Sequence, residues 1–276
     1  MTTQRPVTRT SKGGLVHGWQ SFIAIGDSFT EGLNDPGPDG RYRGWADRLA
    51  ELLAKDQPGL RYANLAVRGK CLGQVLADQL PATLAAGADL VTFAAGGNDI
   101  LRPGGDPDTL AAQYERAVAQ LRAAGSDVVI FTGFDTGRTP LLRYVRGRIA
   151  AYNGHLRSIA DRHGCRMVDL WSMTALNHPQ AWSDDRLHLT PAGHHRVALR
   201  TAEVLGLAVD EDWQAPWPVS SEPAWLARRR ADVKWTRQHF VPWLGRHLRG
   251  RSSGDGIPPK RPELTPLTDT VADGTG

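Results

Sequence analysis

The chain has 276 residues, of which 41% are apolar and 22% charged, a composition that gives one sizeable core plus extensions. Its two cysteines exclude a disulfide framework or a cysteine-rich metal knuckle, and no stretch reaches membrane-spanning length. The net charge of +4 is unevenly spread: ten Lys/Arg face three acids between Glu222 and Arg261, so the tail is basic and the remainder carries about −3. Residues 1–18 contain Arg5, Arg9, Lys12 and Gly13-Gly14 but lack the apolar run of a secretory signal; a flexible tail and a cytoplasmic protein are expected.

Short apolar runs then recur at Phe22 to Ile25, Tyr62 to Ala66, Leu90 to Ala94, Val128 to Phe131 and Met167 to Leu170. Each is followed by polar or Gly-rich residues and a helical pattern, which is the βα signal. The helices are expected at about 44–55, 72–85, 108–124 and 141–163, with Cys71 at a helix start and Cys165 at a strand start, both free thiols. Five strands with intervening helices imply a parallel sheet covered on both faces. In such a sheet ligands bind beyond the carboxyl ends of the strands. A last helix begins at Thr190-Pro191, where Thr caps free amides and Pro at the first position sacrifices no bond.

Reactive groups gather where the loops converge. Gly26-Asp27-Ser28-Phe29-Thr30-Glu31-Gly32 follows the first apolar run, so Ser28 stands at a strand tip on a turn toward a helix. Read alone, Ser28 could equally cap that helix. Asp185-Arg186-Leu187-His188 lets one loop carry a general base, His188, and the carboxylate that orients it. Asp184 competes with Asp185, but the three-residue spacing favours Asp185. His194 and His195 raise a metal reading, which is disfavoured because neighbouring helical residues point about 100° apart and no Cys or Glu lies at ligand spacing. Gly96-Gly97-Asn98-Asp99 supplies a compact amide donor, and Asn64-Leu65-Ala66-Val67-Arg68-Gly69 ends in a glycine whose N–H can face an oxyanion. Both also read as plain turns.

In order along the chain, Gly26-Asp27-Ser28, Gly69, Gly96-x-Asn98-Asp99 and Asp185-x-x-His188 resemble the four blocks of the SGNH (GDSL-type) esterase/lipase family over about residues 20–206. Phe29 departs from the leucine of the family's nickname. The resemblance implies a flavodoxin-like three-layer sandwich around a five-stranded parallel sheet, with no metal or organic cofactor. It implies a triad of Ser28, Asp185 and His188, an oxyanion hole formed by the Ser28 N–H, the Gly69 N–H and the Asn98 side chain, and a small-molecule ester as substrate. The chain is most similar to actinobacterial members with a Trp/Arg-rich C-terminal extension.

Residues 19–206 are thus expected to form the hydrolase domain. Loops containing Leu101-Arg102-Pro103, Phe134-Asp135-Thr136 and Trp171 to Trp182 should wall the substrate pockets, and the lack of a long apolar lid favours a short or acetyl acyl group. An acyltransferase with the same triad and an idle binding module are the alternatives; a flavin binder would want a Ser/Thr-rich first turn. Residues 207–249 read as a Trp/Arg-rich helical extension, with a stripe from 224 to 249 that either packs on the body or meets anionic membrane or acidic protein. Basic residues alone give nucleic acid only nonspecific attraction. Residues 250–276, rich in Gly, Ser, Pro and Thr, are expected to be disordered.

Overall fold

The computed structural model describes residues 8–9, 15–16, 18–37, 40–137, 139, 142–219 and 254–267. Its main sheet contains β1 (Ser21–Gly26), β2 (Arg61–Asn64), β3 (Leu90–Ala94), β4 (Asp127–Phe131), β5 (Arg166–Val168) and β6 (Arg261–Pro266). The order across the sheet is β5-β4-β3-β1-β2-β6. β1 to β5 run parallel, and β6 joins β2 antiparallel. Thr8–Arg9 and Leu15–Val16 form a separate small antiparallel pair.

The helices are α1 (Ser28–Glu31), α2 (Gly44–Asp56), α3 (Leu72–Asp78), α4 (Leu80–Ala86), α5 (Gly97–Ile100), α6 (Pro107–Ala123), α7 (Arg146–His163) and α8 (Pro191–Leu205). Strand alternation sorts the side chains into two layers. Phe22 and Ala24 of β1 join the core with Trp45 and Leu49 of α2 and Val197 and Ala198 of α8. Ile23 and Ile25 face the opposite way, toward Val75, Tyr114, Val118, Leu156 and Ile159. Every residue of β1 is buried, as a central parallel strand covered on both faces requires. The result is the expected α/β three-layer sandwich.

Several boundaries differ from the sequence reading for identifiable reasons. The helix expected over 72–85 is two helices, because Pro81 lacks an N–H and its ring would collide with a carbonyl one turn earlier. Gln79, at the break, donates to the Gly26 carbonyl at 2.9 Å and accepts from the Gly26 N–H at 2.8 Å. The last parallel strand stops at Val168 and continues as a short 3-10 turn, Leu170–Ser172.

The sheet has a sixth strand within the segment expected to be disordered. Residues 254–267 are ordered, and Arg261–Pro266 is an edge strand. Its two prolines are tolerable at an edge, and Arg261 anchors it by donating from Nε to the Tyr62 carbonyl at 2.8 Å. Composition alone conceals such a strand, because polar contacts hold it. Residues 207–219, expected to open a helical extension, contain no helix. Trp217 there donates to the Ala175 carbonyl at 2.8 Å and lies 4.0 Å beneath the Arg196 guanidinium. The stripe from 224 to 249 lies outside the described residues. Among the described residues no helix is long and apolar enough to cross a membrane.

Trp45 is fully buried, with its ring 4.6 Å from Phe131 and 5.3 Å from Phe29. Trp45→Ala is therefore expected to cost about 3–5 kcal/mol in urea unfolding; a loss below about 1 kcal/mol would contradict this packing.

Candidate active site

The crevice at the carboxyl ends of β1 and β3 marks the place where strand order reverses, the usual ligand position in an open α/β sheet. Gly26 closes β1 there with φ +152°, and a Cβ on it would lie 2.3 Å from the Ala94 carbonyl oxygen of β3. Only glycine permits that approach. Asp27 follows as the N-cap of α1, its Oδ1 accepting from the Phe29 N–H at 3.1 Å. Ser28 is the first residue of that helix.

Ser28 Oγ lies 3.0 Å from His188 Nε2, and His188 Nδ1 lies 2.8 Å from Asp185 Oδ2. The loop that presents this pair is closed on itself by an antiparallel bridge from Trp182 to Leu189 and by the Ser183 N–H donating to the His188 carbonyl at 2.9 Å. Arg186 adopts φ +54°, uncommon for a side-chain-bearing residue. The turn lets Asp185 Oδ1 accept from the N–H groups of both Leu187 and His188 at 3.0 Å. Burial would raise the Asp185 pKa, but the hydrogen bond and charge of His188, with these two amides, outweigh it and hold the carboxyl well below its usual range. An ionised Asp185 can only accept, so Nδ1 carries the imidazole proton and Nε2 is free to accept from Ser28 Oγ–H.

Asn98, on α5, lines the same cavity as Ser28 and His188. Its Nδ2 donates to Asp27 Oδ2 at 3.1 Å and to the Lys70 carbonyl at 3.0 Å. Gly69, adjacent to Lys70, has φ +72°. It is not part of the cavity wall among the described residues, but both neighbours are fixed: Arg68 donates its N–H to Glu31 Oε2 at 2.7 Å, and Lys70 accepts from Asn98. Asp184, the competing carboxylate, is exposed, and the carboxylate on His188 Nδ1 is that of Asp185. His194 is buried, with Nε2 3.2 Å from the Leu33 carbonyl oxygen, and burial brings its pKa down to about 4. His195 instead pairs with Glu211 at 2.8 Å. Among the described residues no group of three His, Cys, Asp or Glu is arranged to hold a metal ion.

The cavity holds about 210 Å³. Phe29, Phe134 and Trp182 form one aromatic wall, with Phe29 to Phe134 at 5.4 Å and Phe134 to Trp182 at 4.9 Å. Ile100, Tyr152 and Leu156 line it more deeply. Of the loops expected to contribute, those at Leu101, Phe134 to Thr136 and Trp182 do so, whereas Arg102, Pro103 and Trp171 do not.

The sequence pattern of the GDSL-like lipase/acylhydrolase family matches residues 24–196, and the chain belongs to that family as an SGNH-type serine esterase. Among solved structures, a variant of Axe2, an acetyl xylan esterase from Geobacillus stearothermophilus, is similar at 21% identity and TM-score 0.58, covering 70% of this chain and 97% of its own. LAE5, an α/β hydrolase enzyme from the metagenome of Lake Arreo in Spain, is similar at 23% identity and TM-score 0.59, covering 69% and 96%. No curated protein matches the chain.

Two contributors escaped the sequence reading. Asn34, at φ +70°, donates from Nδ2 to Asp185 Oδ2 at 2.8 Å across 151 positions. Its tolerance of the left-handed region and its place just after the Gly-Asp-Ser turn were the available signals. Asp27 was read only as part of the motif, yet it connects the N-cap of α1 to Asn98.

Burial pushes the Asp27 carboxyl up from 3.8 to about 6, partly offset by the Phe29 N–H and the His188 charge. Between these values the folded protein holds a proton that the unfolded chain releases, so this group's contribution to stability is full below about pH 4 and is lost as pH rises through about 6. Buried His194, its pKa brought down to about 4, gains stability over the same range in both proteins, so the parent is expected to lose on the order of 2–3 kcal/mol more than Asp27→Asn between pH 4 and pH 7 in urea unfolding. An unchanged pH difference in Asp27→Asn would contradict the assignment.

Proposed function

We propose that the protein hydrolyses short-chain carboxylic esters through an acyl-enzyme on Ser28. The observation that carries this reading is the continuous chain Asp185–His188–Ser28, with links of 2.8 and 3.0 Å, opening into a mainly apolar cavity beside Asn98. His188 Nε2 takes the Ser28 proton as Oγ attacks the ester carbonyl, and the donors assigned to the tetrahedral oxyanion are the Ser28 N–H, the Gly69 N–H and the Asn98 amide. Asn98 enters the reaction with its amide already engaged by Asp27 and Lys70; the oxyanion competes for one of those hydrogens. Collapse breaks the bond to the alcohol oxygen, which leaves with the proton from His188. Water then attacks the acyl-enzyme, giving a proton to the same nitrogen, and the acid departs as Ser28 recovers its hydrogen.

Catalytic mutants of a serine, an aspartate and a histidine are named for Axe2, in agreement with this division of labour. The acyl preference is supported by cavity size. A cavity of about 150 Å³ accommodates a benzene-sized guest, so about 210 Å³ suits an acetyl to short-chain acyl group better than a palmitoyl chain. That Axe2 is an acetyl xylan esterase is consistent with the short end of this range.

Ser28→Ala, confirmed folded, is expected to abolish turnover of p-nitrophenyl esters, whereas unchanged turnover would remove Ser28 from the chemistry. Asn98→Ala should lower kcat on the order of 10²–10³-fold; a change below about threefold would exclude it from the oxyanion site. With acetyl, butyryl and palmitoyl esters compared on the parent enzyme, palmitoyl should be slowest, and fastest turnover on palmitoyl would overturn the chain-length assignment.

A further inference from the structure

The ordered C-terminal segment 254–267 lies beyond the residues that match the family, yet it fastens the back of the site. Gly32, at the carboxyl end of α1, and Gly44, at the amino end of α2, meet backbone to backbone: a Cβ on either would fall within 2.4–2.5 Å of the other's Cα. Lys260 sits across this junction. Its Nζ lies 2.7 Å from the Glu31 carbonyl oxygen and 2.8 Å from the carbonyl oxygens of Tyr42 and Arg43 and from Asp47 Oδ2. An ammonium has three hydrogens, so all are engaged by these oxygens, and the side chain is only 11% exposed. Its charge also lies at the carboxyl end of α1, where unpaired helix carbonyls favour a cation.

The same attachment reaches the Gly69 loop. Glu31, whose carbonyl Lys260 holds, directs its carboxylate to the Arg68 N–H and guanidinium. Gly254 packs on the Arg68 carbonyl so closely that a Cβ would lie 2.1 Å from that oxygen. At the other end of the single turn, the Ser28 carbonyl accepts from the Gly32 N–H at 3.1 Å. A helix of four residues has no length in which to absorb a displacement at Glu31 before it reaches Ser28.

We propose that Lys260 is a positioning residue for ester hydrolysis: by riveting α1 to α2, it sets the placement of Ser28 relative to the Gly69 loop. Lys260 touches neither substrate nor reacting atoms. The inference rests on Ser28 being the nucleophile.

The test uses full-length Lys260→Met, with active sites counted by fluorophosphonate labelling and turnover of p-nitrophenyl butyrate expressed per labelled site. Misplacement of about 1 Å costs on the order of 10²-fold in rate, so kcat per site is expected to fall at least about tenfold while KM stays within about twofold. Because the substitution removes the cation paired with the half-buried Asp47 carboxylate, which also accepts from the Tyr62 hydroxyl at 2.6 Å, the double variant Lys260→Met/Asp47→Asn is measured beside it and read by the same criterion if the single variant does not fold. A smaller fall in kcat per site, or a loss confined to the number of labelled sites or to melting temperature, would overturn the proposal. Turnover persisting in Ser28→Ala would be a different failure, that of the nucleophile assignment itself.

Discussion

The hydrogen bond from Ser28 Oγ to His188 Nε2, 3.0 Å long, joins groups 160 positions apart, and the chemistry requires that they stay in register. β1 fixes one partner as a fully buried central strand. The other is fixed by a loop tied down at α8, where Thr190 Oγ1 accepts from the Gly193 N–H at 3.1 Å. Asn34 closes the circuit by linking the chain just after α1 to the Asp185 carboxylate. Asp185 therefore connects the loop of His188 to the chain that leaves the helix of Ser28.

The two short helices that carry Ser28 and Asn98 are supported alike. Each leaves carbonyls exposed at its carboxyl end, and each meets a cation there. Lys260 serves the Glu31 carbonyl of α1, while Arg148 of α7 donates to the carbonyls of Ile100, the last residue of α5, and of Arg102 and Gly105 just beyond it. Asp27 joins the two helices at their front, with one oxygen on Phe29 N–H and the other on Asn98 Nδ2. Asp99 ties α5 to the start of α3 through the Leu72 N–H at 2.8 Å. Isolated turns of this length are unstable in water, so these polar anchors supply rigidity that helix propensity does not.

The parallel strands, and the Ser28, Asp185 and His188 side chains that the fold brings together, were legible in the sequence because each has a local signature. Phe22 to Ile25 is an apolar run bounded by turn residues, Thr190-Pro191 is a helix start, and Asp185-x-x-His188 fits within one loop. Contacts between distant polar residues have no such signature. Nothing near Lys260 marks it as the partner of Glu31, and its segment resembles disordered tails in composition although it supplies an edge strand. Asn34 looks like an ordinary turn residue until the fold brings Asp185 to it. The break at Gln79 was readable from Pro81, whereas the pairing of Gln79 with Gly26 was not.

The catalytic geometry is tested most directly by a crystal structure of the protein after reaction with a small alkyl fluorophosphonate, whose adduct imitates the tetrahedral intermediate. Phosphorus is expected on Ser28 Oγ, with a phosphoryl oxygen about 2.7–3.1 Å from Ser28 N, Gly69 N and Asn98 Nδ2 and the alkyl group against Phe29 and Phe134. Phosphorus on another residue, or a phosphoryl oxygen turned away from all three nitrogens, would contradict that geometry.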